Sequence, residues 1–260
     1  MIRIEDLDRG RVREHFVSEQ LSDLNAIGLE WDGAPVRQSD RTALYSQALQ
    51  DLQSRGLIYE CWCTRAEIRE AASAPHGDQV EGAYPGTCRE LTRAQRELRR
   101  SEGRPAALRV RAESALVAVS DRLHGALSAE VDDFVVRRGD GAFAYNLAVV
   151  VDDEDQGIGE IVRGDDLLSS TPRQVWLQRQ LSLPTPGYAH VPLMLGGDGT
   201  RLAKRHGAVT LADRAALGEN PAAVRAVLAA QLGLCDQGEA ISAEALIGCF
   251  RERVLHAGAP

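Results

Sequence analysis

The fold is decided by two neighbouring segments in the middle of the chain. Residues 144–153 read AYNLAVVVDD and residues 161–167 read IVRGDDL. The first segment is nearly all apolar, which predicts an element buried on both sides, as in α/β proteins. Within it, we expect Tyr145 to pack in the core with its hydroxyl satisfied. The second segment predicts a buried strand that ends at Arg163, and Pro172 then marks the first turn of a helix.

The N-terminal part alternates strand and helix patterns. Residues 2–8 alternate apolar and charged side chains, which predicts a strand. Two amphipathic helices follow, each with apolar residues three to four positions apart. Those residues are Val17, Leu21, Leu24 and Ile27 in the first helix and Leu44, Ala48 and Leu52 in the second. Gly56 ends the second helix and residues 57–59 are strand-like, so the order of elements predicts an α/β domain.

The character of the sequence changes between residues 61 and 111. Residues 74–86 are rich in turn formers, and such a long irregular loop is uncommon in a compact domain unless something pins it. A basic helix follows at residues 92–101. We interpret this region as an insertion, which gives four parts: residues 1–60, the insertion at 61–111, residues 112–205, and a C-terminal segment at 206–260.

The core pattern resumes after the insertion. Strand-like segments lie at residues 107–111, 116–119, 133–137 and 190–195. The C-terminal segment is predicted to be helical, because Asn220 is a good N-cap and Pro221 suits the first helical position. Residues 242–254 predict a last amphipathic helix.

Three of the five cysteines lie close together in the insertion. One residue separates Cys61 from Cys63, and Cys88 follows a Pro-Gly turn that begins after Tyr84. Three thiols and a phenol can complete a closed tetrahedral zinc site, which is structural rather than catalytic. His76 competes with Tyr84 as the fourth ligand. The alternative is three unrelated cysteines in a reduced protein.

Two further features carry cations. Arg163 can pair with a carboxylate through two parallel hydrogen bonds, or it can be a surface arginine in a charged turn. Residues 196–205 form a glycine-rich loop that contains Lys204, and flexible backbone with cations suits a polyphosphate. The alternative for this loop is a hairpin turn with solvated charges, and it lacks the spacing of a Walker loop.

Composition narrows the class of protein. Hydrophobic residues make up 44% and charged residues 26%, which is typical of a globular domain rather than a disordered chain. The net charge of −8 argues against a large non-specific nucleic-acid surface. Acidic residues near Met1 and the absence of a long apolar run argue against export and membrane insertion. We therefore expect a cytoplasmic protein, and a monomer.

Taken together and in order, these segments resemble the class I glutamyl-tRNA synthetases, in particular their short glutamyl-Q branch. Residues 3–8, RIEDLD, resemble the strand after the ATP-binding helix. Residues 144–153 and 161–174 resemble the block that forms the glutamate pocket. Residues 202–205, LAKR, occupy the place of the KMSKS loop, and the cysteine segment is similar to the zinc site of the glutamyl-Q branch.

The resemblance implies a reaction and a set of site residues. ATP, with Mg²⁺, would activate L-glutamate to glutamyl-adenylate, and the glutamate would pass to queuosine in the anticodon of tRNA(Asp). Glu5 would hold the glutamate ammonium, Tyr145 would hydrogen-bond the substrate, and Arg163 would pair with a carboxylate. Lys204 would stabilise charge on the ATP phosphates. Structural Zn²⁺ would be bound by Cys61, Cys63, Tyr84 and Cys88.

The resemblance also implies the fold, and the sequence departs from the family pattern in two places. We expect the class I Rossmann-like parallel sheet with a zinc-binding insertion and a helical C-terminal part. Arg201 and Ala203 stand where the KMSKS pattern has lysine and serine. Met1 falls within the strand that follows the family's HIGH-motif helix, so we expect the sequence to begin after that helix. Either the start was assigned too late or the form is truncated.

Other functions are compatible with the same sequence. A truncated remnant would bind tRNA or glutamate without activating it. A fragment of a full glutamyl-tRNA synthetase would need an anticodon-binding domain, for which the 55 residues after Arg205 are too few. An isolated zinc-binding interaction module would need the insertion to fold alone.

Overall fold

Two short parallel strands and two helices form the N-terminal part of the computed structural model, which describes residues 1–8, 10–64, 66–68, 84–196, 198–202, 207 and 210–251. β1 (Arg3–Ile4) pairs with β2 (Val36–Arg37) in parallel. Helices α1 (Glu14–Ala26) and α2 (Thr42–Ser54) agree with the two predicted helices. Gly56 has a φ of +70°, which lets the chain leave α2 in a left-handed turn.

A three-stranded antiparallel sheet joins the predicted insertion to the rest of the chain. It has the order β3 (Ile58–Cys61), β4 (Ala107–Val110) and β7 (Val135–Arg137). Cys61, the last residue of β3, lies opposite Ala107. Both ends of the insertion are therefore anchored in one sheet. Between them, α3 (Arg93–Ser101) begins at a capping box formed by Thr92 and Gln95.

A four-stranded mixed sheet lies beside it. Its order is β6 (Gly125–Val131), β5 (Ala115–Asp121), β9 (Gly187–Val191) and β8 (Glu160–Gly164). β9 runs parallel to both β5 and β8, with Arg163 opposite His190. Because parallel strands end at the same edge of a sheet, the last residues of these three strands meet there.

Two helices cover these sheets. α4 (Tyr145–Asp155) buries Leu147, Ala148, Val149 and Val150, so the predicted burial of the apolar segment is confirmed for its central residues. α5 (Thr171–Gln180) has proline in its first turn, as predicted. The most deeply buried core side chains come from α2, α4, α5 and the strands: Tyr45, Leu52, Val110, Val117, Val136, Leu147, Leu177 and Tyr188.

The C-terminal part consists of short helices with strong caps. They are α6 (Leu211–Ala216), α7 (Pro221–Gln231) and α8 (Ala243–Phe250). The side-chain oxygen of Asn220 accepts a hydrogen bond from the Ala223 N–H, which confirms the predicted cap of α7. Within the described ranges, no helix has both the length and the apolar character that a membrane span requires.

Two sequence predictions about these elements were wrong. β8 is an edge strand rather than a buried one, and Val162 next to Arg163 is 49% exposed. The predicted strand at 190–195 instead ends at Val191, because β9 begins earlier, at Gly187. β6 was not predicted at all.

Candidate functional site

A cavity of about 560 Å³ lies between β1, α4 and β8. Glu5, Tyr145 and Arg163 all line it, although they come from three distant parts of the sequence. Arg3, Asp153 and Glu160 are the other charged residues that line it. The structure therefore brings together the three residues that the sequence assigned to one pocket.

Arg163 reaches this cavity from β8 and is surrounded by neutral acceptors. Its Nε donates to His190 Nε2 at 3.0 Å, and its Nη2 donates to Thr171 Oγ1 at 2.8 Å. Its Nη1 donates to Gln174 Oε1 at 2.8 Å and lies 3.5 Å from the Tyr145 hydroxyl. No carboxylate within the described residues forms an ion pair with Arg163. A half-buried guanidinium without a counter-ion is well suited to bind an anion.

Behind Arg163 lies a buried pair that the sequence analysis did not identify. His190 is 0% exposed and Asp121 is 2% exposed, and His190 Nδ1 lies 2.6 Å from Asp121 Oδ2. Burial alone would raise the pKa of Asp121, but hydrogen bonds from His190 and from three backbone amides hold that pKa below its usual range. A histidine in an apolar strand was the only sequence signal of this pair.

The acidic side of the cavity has perturbed carboxyl groups. Arg3 Nη1 donates to Asp153 Oδ1 at 2.8 Å, and its Nη2 lies 3.5 Å from Glu5 Oε1. Burial raises the pKa of both Glu5 and Asp153, and Arg3 only partly opposes this effect. Among the described residues, the only hydrogen-bonding partner of the Glu5 carboxylate is thus Arg3, at the long distance of 3.5 Å.

Tyr145 does not pack in the core as expected. Its side chain begins α4 and is 37% exposed at the cavity. The apolar run predicts a buried element, which the structure shows to be a helix, but the first residue of that helix points away from the core. Partial burial raises the pKa of the Tyr145 hydroxyl, so this group is a neutral hydrogen-bonding group at physiological pH.

A second cluster lies at the end of β3. The sulfur atoms of Cys61, Cys63 and Cys88 lie within 4.8 Å of one another. The Tyr84 hydroxyl oxygen is 3.4 Å from Cys61 Sγ and 3.7 Å from Cys63 Sγ, and the Cys63 and Cys88 sulfurs are 3.5 Å apart. The three thiols are free, and Cys61, Tyr84 and Cys88 are buried.

These separations fit a tetrahedral metal ion. Zinc–sulfur bonds of about 2.3 Å and zinc–oxygen bonds of about 2.0 Å separate ligand atoms by roughly 3.5–3.8 Å in a tetrahedron. The cluster can therefore bind one zinc ion with little movement. The hydrogen bond between the Cys61 and Cys88 thiols holds the pKa of Cys61 below its usual range, and zinc binds the thiolate form.

Partly buried polar contacts join this cluster to the neighbouring helix α5. The Tyr84 N–H donates to Asp132 Oδ2 at 3.1 Å, and Arg173 Nε from α5 donates to Asp132 Oδ1 at 2.7 Å. The Cys88 N–H donates to the Tyr84 hydroxyl at 2.8 Å. The cysteine cluster is thus tied to the helix whose first turn contacts Arg163.

Two residues of the sequence predictions, Lys204 and His76, lie outside the described residues. The loop before Lys204 is described at its base, where Leu195 and Arg201 form an isolated antiparallel bridge. Arg201 Nη1 donates to Asp166 Oδ2 at 2.6 Å. The base of the loop therefore lies next to the turn that follows Arg163.

Comparison with known protein families shows which family the chain belongs to. Residues 1–255 match the family model described as tRNA synthetases class I (E and Q), catalytic domain. The chain belongs to this family of class I tRNA synthetases. A glutamyl-Q tRNA(Asp) synthetase from Nocardia farcinica is 58% identical over 90% of this chain and 74% of its own length. One from Symbiobacterium thermophilum is 46% identical over 96% of this chain and 81% of its own length.

The structural comparison agrees with the class I fold. A crystal structure of glutamate-tRNA synthetase from Elizabethkingia anophelis superimposes with a TM-score of 0.77 at 24% identity, over 94% of this chain. This chain spans 57% of the length of that protein. The fold class predicted from the sequence is confirmed. So is the predicted membership of the glutamyl-Q branch of class I synthetases, whose members are ligases.

Proposed function

We propose that this chain activates L-glutamate with ATP and then transfers the glutamyl group to queuosine in the anticodon of tRNA(Asp). The relatives that are 58% and 46% identical carry the name of that activity. The wall of the cavity supports the same substrate, because an amino acid with two carboxylates needs both a cation and an anion for recognition.

The observation that carries the proposal is the state of Arg163. Its guanidinium is half-buried and contacts only neutral acceptors among the described residues. Leaving a buried charge without a partner is costly. A substrate carboxylate that accepts from the remaining Nη2 N–H would supply the missing negative charge, and the same ligand would contact the Tyr145 hydroxyl.

Glu5 supplies the opposite charge. Its carboxyl group lines the same cavity, and its nearest cation, Arg3, is shared with the closer partner Asp153. An α-ammonium group would pair with Glu5 while a carboxylate pairs with Arg163. The two residues together would select a zwitterionic substrate and fix its orientation.

Lys204 is proposed to act on ATP, which carries Mg²⁺ as a substrate complex. It is the only lysine among the 260 residues, and every other residue counted with it as Lys or Arg is an arginine. The glutamate carboxylate oxygen attacks the α-phosphorus, the bond to the β-phosphate oxygen breaks, and glutamyl-adenylate and pyrophosphate form. Positioning and charge stabilisation dominate such a step, so no side chain acts as a nucleophile. Transfer to queuosine then releases AMP.

Zinc is proposed to be structural. Cys61, Cys63, Tyr84 and Cys88 would hold it, and a closed set of four ligands leaves no position for a substrate. The ion would fix the loop that is tied to α5 through Asp132. Thiolate ligands require reduced cysteines, so the proposal places the chain in the cytoplasm.

The test is glutamate-dependent exchange of labelled pyrophosphate into ATP by the 260-residue chain without tRNA. Exchange with L-glutamate, and none with L-glutamine, is the expected result. A second assay measures glutamate transfer to tRNA(Asp) with queuosine and to the same tRNA with guanosine at that position. Glutamate binding without exchange would favour a binding protein, and charging of both tRNAs would contradict queuosine as the acceptor.

A further inference from the structure

The Asp121–His190 pair lies directly behind Arg163 and has no part in the chemistry described so far. Both residues stand at the ends of parallel strands, β5 and β9. His190 Nδ1 faces Asp121 Oδ2 at 2.6 Å, and His190 Nε2 faces Arg163 Nε at 3.0 Å. The three side chains are thus connected by hydrogen bonds, from the buried Asp121 to Arg163 at the cavity.

The hydrogen bonds determine which ring nitrogen of His190 carries the proton. Arg163 Nε can only donate, so His190 Nε2 must accept. The proton then lies on Nδ1, where the Asp121 carboxylate accepts it. The Thr171 hydroxyl lies 3.2 Å from Nε2 and 2.8 Å from Arg163 Nη2, so it can accept from the guanidinium as well. Only this tautomer allows both contacts of the ring.

We infer that Asp121 and His190 are positioning residues that set the plane of the Arg163 guanidinium for a substrate carboxylate, by fixing the Nδ1–H tautomer of His190. This inference rests on the proposed role of Arg163 in binding glutamate. Arginine has a long flexible side chain, and a fixed guanidinium loses less freedom when it binds a carboxylate. Without the pair, Arg163 would keep its charge but lose its orientation.

Asp121→Asn tests the tautomer with almost no change in shape. Asp121 Oδ1 faces the backbone N–H groups of Leu123 and His124, both at 3.0 Å, and that of His190 at 3.4 Å. An asparagine must keep its oxygen at this position, so its NH₂ group faces His190 Nδ1. The ring must then accept at Nδ1 and carry its proton on Nε2, which opposes the Nε–H donor of Arg163.

Two substitutions of His190 form a matched pair. In His190→Gln the side-chain oxygen can replace Nε2 and accept from Arg163. In His190→Asn the shorter side chain can replace Nδ1 and donate to Asp121, but it leaves Arg163 Nε without an acceptor. Both variants lose the ring, so a purely structural role would damage them alike.

Steady-state pyrophosphate exchange separates these cases. Asp121→Asn and His190→Asn are expected to raise KM for glutamate about tenfold or more, the scale of a lost hydrogen bond to a charged group. KM for ATP should stay within about twofold, and His190→Gln should retain most of the affinity for glutamate. Equal damage in both His190 variants, or equal increases in both KM values, would overturn the inference.

A second measurement does not depend on activity or on the stability of a variant. Long-range ¹H–¹⁵N spectra of the wild-type chain report which nitrogen of His190 is protonated, and the Arg163 Nε–H should be protected from exchange. Protonation at Nε2 would overturn the inference at once. If the wild-type chain neither binds nor exchanges glutamate, the proposed function fails, while these spectra still decide whether the pair holds Arg163.

Discussion

The guanidinium carbon of Arg109 lies 3.7 Å from the centre of the Tyr84 ring. Arg109 is only 7% exposed, its Nη1 donates to the Asp133 carbonyl at 2.7 Å, and its Nε has no hydrogen-bond partner among the described residues. No carboxylate of those residues forms an ion pair with it. A buried cation beside a metal cluster is stabilised when that cluster is negative. Zinc with three thiolates and a neutral phenol has a net charge of −1.

We therefore predict that Arg109→Met weakens zinc binding. Loss of the buried positive charge should lower the affinity about tenfold or more, because a thiolate cluster would then keep its negative charge uncompensated. Arg109→Lys keeps the charge and should lose less. Competition with a chromophoric chelator measures both variants, and an unchanged affinity in Arg109→Met would contradict this role.

Tyr84→Phe tests the fourth zinc ligand. The substitution removes one oxygen from a set of donors that already fits a tetrahedron, so we expect weaker zinc binding with the stoichiometry still one. Cys88→Ser is the control, because it removes a thiolate and should weaken binding further. If Tyr84→Phe binds zinc as tightly as the wild-type chain, the fourth ligand is another group, such as His76.

Asp133 anchors the base of the cysteine segment. It is 0% exposed, its Oδ2 accepts from the Tyr59 hydroxyl and from Arg89 Nε at 2.6 Å each, and its Oδ1 accepts from the N–H groups of Ala112 and Glu113. Burial alone would raise the pKa of Asp133, but these hydrogen bonds hold it below its usual range. The ionised carboxylate therefore stabilises the folded state.

Asp133→Asn should lower the free energy of unfolding at pH 7 by about 3 kcal/mol, the scale of a broken buried ion pair. The folded pKa is lower than the unfolded value of about 3.9, so the stabilisation is complete above that pH and is lost as the pH falls below it. The difference between variant and wild type should shrink over that range in urea unfolding. Asp140→Asn, an exposed control, should cost little at any pH.

The only lysine of the chain allows a selective chemical test. An amine-reactive reagent should modify only Lys204 and the N-terminal amine. Modification should abolish pyrophosphate exchange. ATP should slow the modification of Lys204, because Lys204 is proposed to contact the phosphates. In Lys204→Arg the reagent can modify only the N-terminal amine, so this variant shows the effect of that modification alone. Before modification, the kcat of this variant should be about tenfold below that of the wild-type chain, because a broad guanidinium does not replace a compact ammonium. Full activity after modification of Lys204 would exclude the proposed role.

Local signals explain why much of the fold could be predicted. The cap at Asn220 and the turn at Gly56 depend on a few adjacent residues, and each lies where expected. β6 was missed although a weak signal is present. Leu127, Ala129 and Val131 alternate with Ser128 and Glu130, and their burial follows the same alternation, but the run is short and its first two residues are glycine and alanine.

The site depends on contacts that are distant in sequence. His190 and Asp121 are 69 positions apart, and their pairing follows from the parallel register of β5, β8 and β9 rather than from any local motif. In the sequence, Asp121 and His190 appear as separate polar residues, and nothing local marks them as a pair. The grouping of Glu5, Tyr145 and Arg163 came from a family resemblance, because no spacing rule connects residues so far apart.

Glu5→Gln should weaken glutamate binding specifically. Glutamine keeps the shape but removes the negative charge proposed to hold the α-ammonium, so KM for glutamate should rise about tenfold while KM for ATP changes little. Glu14→Gln is a matched control, because Glu14 is exposed and pairs with Arg37 away from the cavity.

The pH dependence of Glu5 gives an independent check. Burial raises the pKa of Glu5, so its charge is lost at a higher pH than that of an ordinary glutamate near 4.3. In the wild-type chain and in Glu14→Gln, KM for glutamate should rise as the pH falls through this raised pKa. In Glu5→Gln that rise should be clearly smaller, because Glu5 no longer titrates, while Asp153, whose pKa is also raised by burial, still titrates in the same wall. If all three proteins show the same pH profile, Glu5 does not hold the ammonium group, and the anionic partner of the substrate must be sought elsewhere in the cavity, first at Asp153.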